Sequence, residues 1–285
     1  MRFTYDIISY VSTDIHIMIK ENICMLDNQI CSSCSKETYK TIPLTRVFDK
    51  LNALFSKNDL DAVGKTLDFW EAEARNIGDL RGLLEILNEK IGYYRRTNEK
   101  NKALSVVNEA FYLIEQKGVG DIISSATVYL NGATTMKAFG FAVDSMPYYE
   151  KARTIYEAHL ESNDYRIAAL YNNVSSAYKD LGDPVKAESA CLKAIEILKR
   201  NEDCNAEIAV TLINIAHIYY DQDPADERIY DLMDKAWDLI ISEENTHNGD
   251  FAFLCSKCYP SFGFFGYFER EAELRALTDK IYERT

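Results

Sequence analysis

Four alanines recur at a constant interval along this chain of 285 residues, and each is separated from the next by 42 residues: Ala110, Ala152, Ala194 and Ala236. Gly140 and Gly182 keep the same interval, as do Tyr129 and Tyr171. A fixed period of about 20 to 50 residues indicates a repeat architecture, in which each unit packs mainly on its neighbours. This period constrains the fold more than any other feature of the sequence.

The best-preserved unit reads as a helix hairpin, in the order Tyr171-x2-Val174-Ser175-x2-Tyr178, Gly182-Asp183 and Ala187-x3-Cys191-x2-Ala194. The large side chains fill the space between two helices, and the alanines let the helices approach closely. Twelve glycines and five prolines in the whole chain favour helices over a turn-rich β-sandwich.

This arrangement resembles the tetratricopeptide (TPR) signature, W-x2-L-G-x2-Y followed by A-x3-F. The resemblance covers about residues 44–285, although the period here is longer than the usual 34 residues and no proline closes each unit. The longer helices are similar to those of kinesin light chains and of the peptide-sensing TPR regulators of Gram-positive bacteria. The resemblance implies an all-α fold: a right-handed superhelical solenoid of antiparallel helix pairs, whose first helices line a concave groove.

We expect about six helix pairs in residues 44–285, with degenerate pairs at both ends as caps, over these approximate ranges: 44–76, 79–118, 121–162, 164–203, 205–246 and 250–285. Four aspartates that follow a glycine or asparagine are predicted to cap the helices that start these units: Asp79, Asp121, Asp164 and Asp250. Residues 1–43 lie outside the pattern and are predicted to be a partly ordered extension, in which residues 15–19 alternate as a strand would.

The charge of the chain argues against two classes of partner. Its formal net charge is −13, which disfavours binding to nucleic acid and to anionic membranes. Asp6 and Asp14 interrupt the apolar N-terminal stretch, so it does not resemble a signal peptide, and no run reaches the length of a membrane span. Seven scattered cysteines fit a reducing compartment. We therefore predict a cytoplasmic protein.

Residue patterns that carry catalysis are missing from the sequence, which has no phosphate-binding glycine loop, no H-E-x-x-H and no G-x-S-x-G. The four histidines are far apart, so we predict no enzyme and no cofactor: His16, His159, His217 and His247. Two C-x-x-C pairs, Cys31/Cys34 and Cys255/Cys258, have a spacing that suits zinc or redox chemistry. They belong to opposite ends of the repeat array, so we expect core and loop cysteines instead.

Three asparagines stand one residue before the Leu-type core position of successive first helices: Asn131, Asn173 and Asn214. An amide side chain offers both a donor and an acceptor, which matches a peptide main chain. Families that this sequence resembles hold a peptide main chain with asparagine at that place. The alternative is that these asparagines brace neighbouring helices. Glu89 occupies the position in the preceding unit.

A basic line follows the second conserved-type tyrosine position by one residue and consists of Arg95, Lys137 and Lys179, with Tyr220 next. His217 also falls on the predicted groove. A basic line in an acidic chain suggests an acidic peptide or a free carboxylate as ligand, and ordinary solvated lysines and arginines are the alternative.

These features together predict a non-enzymatic protein- or peptide-binding module that uses the concave groove. The alternative is a regulatory sensor that changes conformation on binding a small signalling peptide, although residues 1–43 are too short and polar for a helix-turn-helix. The aromatic segment 262–268 either seals the last core or pairs two chains as a homodimer.

Overall fold

The computed structural model describes residues 41–284, which contain twelve α-helices and, over that range, no β-strand. In chain order the helices are α1 (Leu44–Ser56), α2 (Leu60–Ile77), α3 (Leu80–Arg96), α4 (Lys100–Lys117), α5 (Ile123–Ala138), α6 (Ala142–His159), α7 (Tyr165–Asp180), α8 (Pro184–Leu198), α9 (Asn205–Gln222), α10 (Arg228–Ile240), α11 (Gly249–Phe264) and α12 (Phe268–Arg284). The predicted strand at residues 15–19, His16 and the Cys31/Cys34 pair lie outside the described residues.

Consecutive helices pack against each other in pairs, which confirms the predicted all-α fold. The described chain divides into two compact units. Residues 41–117 hold two helix pairs, and residues 118–284 hold four. None of the helices in these two units is long and apolar enough to cross a membrane.

The turn within most pairs is closed by a residue in the left-handed conformation. Gly140 and Gly182, the two glycines that share the repeat interval, have φ values of 92° and 75°. Asn98 stands at the equivalent position one period before Gly140 and has φ of 58°. In each of these turns the next amide donates to a carbonyl five residues earlier, as from Phe141 to Met136. The left-handed residue therefore satisfies carbonyls that the end of the first helix would otherwise leave without a donor.

Aspartate caps begin two of the predicted first helices. The Asp79 carboxylate accepts from the Gly82 amide at 2.9 Å, and also from the Ile42 amide at 2.9 Å. The Asp164 carboxylate accepts from the Arg166 amide at 2.9 Å. Each side chain satisfies an amide that the first helical turn cannot pair, as the sequence predicted.

The other two predicted caps are wrong. Helix α5 begins at Ile123 after Ile122, and no side chain caps it; Asp121 is exposed. Helix α11 begins two residues earlier than a cap at Asp250 would place it, so Asn248 is its cap and accepts from the Phe251 amide at 2.9 Å. Sequence alone misplaced both because a Gly-Asp pair fits a loop or a first helical turn as well as a cap.

The core of residues 41–117 lies between its four helices and is built from aliphatic side chains, most of them fully buried: Val47, Leu51, Val63, Leu67, Ile86, Leu87, Ile91, Val107 and Ile114. Helices α2 and α3 approach closely at Gly64. A Cβ atom there would lie 2.6 Å from the Tyr93 hydroxyl, so only glycine fits that contact without a shift.

The core of residues 118–284 confirms the alanine pattern. Ala152, Ala194 and Ala236 each have 0% of their surface exposed. In the last two pairs, Phe262 is fully buried and its ring meets the Trp237 ring edge-on, with centroids 5.6 Å apart. Part of the aromatic segment 262–268 therefore fills this core, while Phe268 is exposed.

Because Ala194 is fully buried on α8, a leucine there must displace packed neighbours. We expect Ala194→Leu to lower the free energy of unfolding by about 1–3 kcal/mol, measured by urea denaturation with circular dichroism. Ala158→Leu is the matched control because Ala158 is exposed on α6, and it should change stability by less than about 0.5 kcal/mol. Equal stability of the two variants would contradict close packing at Ala194.

Candidate functional site

The first helices of the first three pairs in residues 118–284 are α5, α7 and α9, and each carries one of the three predicted asparagines. All three side chains are buried: Asn131, Asn173 and Asn214 are 2%, 1% and 8% exposed. A buried amide needs hydrogen-bond partners, because losing water without replacement costs about 1–3 kcal/mol. The partners of each amide therefore decide what it can do.

Asn173 braces two first helices. Its Nδ2 donates to the Ala169 carbonyl of its own helix at 2.8 Å. Its Oδ1 lies 3.2 Å from the Thr134 hydroxyl on α5, and the Tyr149 hydroxyl on α6 lies 3.2 Å from the same Thr134 oxygen. These contacts fit the bracing alternative of the sequence analysis, because both polar atoms of Asn173 are engaged within the fold.

The contact between Thr134 and Asn173 is one of three ties that join residues 39 positions apart on successive first helices. The Lys137 Nζ donates to the Ser176 hydroxyl at 2.7 Å, and the Asn172 Nδ2 donates to the Thr211 hydroxyl at 2.9 Å. This interval is shorter than the repeat period by about one helical turn. Each residue therefore contacts the next first helix one turn before the position that is equivalent to its own. The interval of 39 residues is present in the sequence, but no motif there predicts these ties.

Asn214 differs from Asn173 in its hydrogen bonds. Its Nδ2 is buried, and no acceptor for it exists among the described residues. An amide nitrogen carries two hydrogens and favours a carbonyl oxygen as partner. The centre of α9 therefore holds a buried hydrogen-bond donor that no described residue satisfies.

The predicted basic line is already engaged with polar and acidic side chains. The Lys137 side chain is 1% exposed, and its Nζ lies 3.9 Å from Asp180 in addition to its bond with Ser176. The Lys179 Nζ lies 3.5 Å from the Asp221 carboxylate on α9. Arg95, the first member of the line, belongs to the unit of residues 41–117 and lies in the last turn of α3.

His217 and Tyr220 lie on α9 against aromatic residues of the last pair. The His217 Nε2 is 2.9 Å from the Ser261 hydroxyl, and its ring centroid is 4.8 Å from that of Phe265. The Tyr220 ring meets the Phe264 ring edge-on at 4.9 Å. Burial and then the charge of Lys179 lower the pKa of His217 to about 3, so the ring is neutral at physiological pH. These contacts make His217 part of the packing between α9 and α11.

The cysteines of the second C-x-x-C pair are buried in the last pair of helices. Burial raises the pKa of the Cys255 thiol to about 12 and that of Cys258 well above its ordinary value. Metal binding and disulfide exchange both need the thiolate. Within residues 41–284, no group of three or more His, Cys, Asp or Glu side chains is arranged to hold a metal ion.

An unexpected feature lies on α3, in residues 41–117. Glu85 and Glu89 are one helical turn apart, and Glu89 is 2% exposed. Burial raises the pKa of Glu85 to about 7, with Arg81 acting in the opposite direction. Burial and then the neighbouring Glu85 raise the pKa of Glu89 to about 8, against the effect of Arg95. Sequence analysis noted Glu89 at the asparagine position but missed Glu85, which the spacing of four residues could have revealed.

The raised pKa values predict a stability that falls as pH rises. The folded chain keeps protons on Glu85 and Glu89 above pH 4.5, where the unfolded chain loses them, so the free energy of unfolding should fall between about pH 5 and pH 8. We expect up to about 1.4 kcal/mol per pH unit for each group, measured by urea denaturation across pH.

Glu89→Gln keeps the side-chain shape without a titrating proton, and it should flatten this slope. Glu73→Gln, on α2, is the control and should leave the slope as in the wild type. An unchanged slope in Glu89→Gln would show that Glu89 does not carry the pH dependence.

Comparison with known proteins identifies the fold. No family model matches the sequence, and no curated protein matches it either. Among solved structures, BtubC (BKLC) from P. vanneervenii is similar with a TM-score of 0.59 and 18% identity, over 69% of this chain and 79% of that one.

A second similar structure is a single-site variant of nearly identical TPR-like repeats described as from a kinesin light chain of Podosopora anserina, with a TM-score of 0.50 and 13% identity. The match covers 70% of this chain and 95% of that one. At these identities the comparisons establish the fold and nothing beyond it. Together with the helix pairs and the buried alanines, they show that this chain has a TPR-like helical repeat fold.

Proposed function

We propose that this chain is a non-enzymatic interaction module that binds an extended segment of a partner protein on the concave face of its first helices. TPR-like folds commonly serve as scaffolds for protein partners. The observation that carries the proposal is the buried Asn214 Nδ2, which has no acceptor among the described residues. A main-chain carbonyl of a bound segment would supply that acceptor.

The asparagine series contributes unequally in this proposal. Asn214 offers an unused donor, whereas Asn173 must give up the Thr134 contact or the Ala169 bond before it can bind a ligand. We retain Asn131 as a contact residue on the ground of its register with Asn214. Tyr220 lies on the same helix as Asn214 and gives the proposed binding face aromatic surface, whereas His217 is buried against α11.

A non-enzymatic role is supported by the state of the most reactive side-chain types. His217 is buried with its pKa lowered to about 3, so it cannot act as a general base that gains a proton near neutral pH. Burial raises the pKa of the Cys191 thiol to about 12, which suppresses the nucleophilic thiolate. We assign both residues to the helix packing.

A regulatory sensor is the second candidate, and the ties between first helices favour it. A ligand that captures the Asn173 amide would break the contact between Asn173 and Thr134, which joins α5 to α7. The spacing of two neighbouring pairs would then respond to binding. In a sensor of this kind, the residues that bind the segment also transmit the change in spacing between the pairs.

Two further questions about the proposed binding are the charge of the ligand and the formation of a homodimer. An acidic ligand would compete with Asp180 for Lys137 and with Asp221 for Lys179, so these lysines support an acidic ligand only weakly. The exposed Phe268 offers apolar surface for a homodimer, while the buried Phe262 does not.

Peptides selected from a random library against the wild-type chain provide the test. Asn214→Ala should weaken a selected peptide by about two- to tenfold, because one lost hydrogen bond costs about 0.5–1.5 kcal/mol. Calorimetry measures the affinity, and circular dichroism checks that the variant is folded.

Asn163→Ala is the matched control for this test because Asn163 is exposed between α6 and α7. It should bind as the wild type does. Selected peptides that bind Asn214→Ala with wild-type affinity would refute the role of Asn214. A change in the spacing of spin labels on α5 and α7 with bound peptide would favour the sensor over a rigid module.

A further inference from the structure

Two carboxylates of residues 41–117 form no salt bridge with any cation in the part of the chain that the structure describes. Side chains four residues apart on a helix are neighbours, so Glu85 and Glu89 share one face of α3. Glu89 is 2% exposed, and its Oε2 has no hydrogen-bond partner in the described part of the chain. Glu85 is partly exposed. The pair therefore has one member open to an approaching group and one buried member with an unused acceptor.

The cations of this region are engaged elsewhere or act only at a distance. Lys90 follows Glu89 in sequence, yet its Nζ binds Asp68 and Glu71 of α2, each at 2.5 Å. Lys102 of α4 binds Glu99 at 2.5 Å. Arg81 and Arg95 act on the pair through their charge, but no salt bridge to it exists among the described residues, and the Arg81 Nε is itself buried without a partner.

Two carboxylates one helical turn apart, one of them buried, oppose each other's ionisation unless a cation balances them. In the free protein they hold protons instead, as their raised pKa values indicate. A cation that enters the site replaces those protons and pairs with both groups. The number of carboxylates indicates which kind of cation fits. Two carboxylates suit one ammonium or guanidinium group, whereas Ca²⁺ takes about six to eight oxygen ligands.

We propose that Glu85 and Glu89 receive the side chain of a lysine or arginine from the partner segment that binds the first helices of residues 41–117. The repeat register supports this assignment. Glu89 occupies, in its unit, the position at which Asn131, Asn173 and Asn214 stand in later units. An amide there suits a peptide main chain, whereas a carboxylate selects a positive side chain. This inference rests on the proposed function and adds the charge of one ligand residue.

The test compares peptides selected from one random library by the wild-type chain and by the double variant Glu85→Gln/Glu89→Gln. Wild-type selection should enrich lysine or arginine at one peptide position, and selection by the double variant should not. Glu73→Gln, on α2 outside the pair, is the matched control and should preserve the enrichment. Circular dichroism verifies the fold of each variant.

A selected peptide then tests the contact directly by calorimetry. Replacing its enriched basic residue with methionine should weaken binding to the wild type about tenfold or more, because hydrogen bonds to charged groups are worth about 1.5–3 kcal/mol. The same replacement should leave binding to the double variant unchanged. Peptides with lysine and with arginine at the position show which cation the pair prefers.

Proton release on peptide binding provides an independent test of the contact. Calorimetry near pH 7 in two buffers of different ionisation enthalpy should show proton release on peptide binding to the wild type, and less release with the double variant. Selected peptides without an enriched basic position, or with equal affinity for both proteins, would overturn this inference and leave the proposed function intact. If the wild type selects no peptide at all, the proposed function fails and this inference fails with it.

Discussion

Close approach of helices at fully buried alanines is the contact on which the rest of this structure depends. Ala152, Ala194 and Ala236 have no exposed surface, so a larger side chain would push the packed helices apart. The alanines lie on the second helices α6, α8 and α10, and the polar contacts between first helices form within the array of pairs that this packing stabilises.

Those polar contacts place stability and binding in competition. The ties from Lys137 to Ser176 and from Asn172 to Thr211 are internal, and they engage side chains on the same helices as the proposed ligand contacts. Asn214 differs from these side chains, since its Nδ2 donor is buried without an acceptor in the described residues. A protein that leaves one such group unsatisfied gives up stability that a bound carbonyl would restore.

Charged side chains show a similar division between groups that are paired within the fold and groups that are not. The predicted basic line is balanced by acidic side chains of the same fold, for example Lys179 by Asp221. The imbalance lies instead at Glu85 and Glu89, where a partly exposed carboxylate and a buried one have no paired cation among the described residues. Selectivity for the charge of a ligand is therefore expected from the unbalanced acidic pair more than from the lysines. This expectation agrees with the stability that should fall as pH rises.

The sequence by itself determined the repeat, the all-α class, the alanine contacts and the turn residues. A period of 42 residues with alanine and glycine at equivalent positions is compatible with few other folds. These signals are readable from the sequence because each of them specifies the packing or the turn of a single helix hairpin. Only the tertiary structure decided which polar side chains are already used. Asn173 and Asn214 are equivalent in sequence, yet one is engaged with Thr134 and the Nδ2 of the other has no partner among the described residues. The difference depends on side chains of neighbouring helices, and the repeat period does not specify which side chains those are.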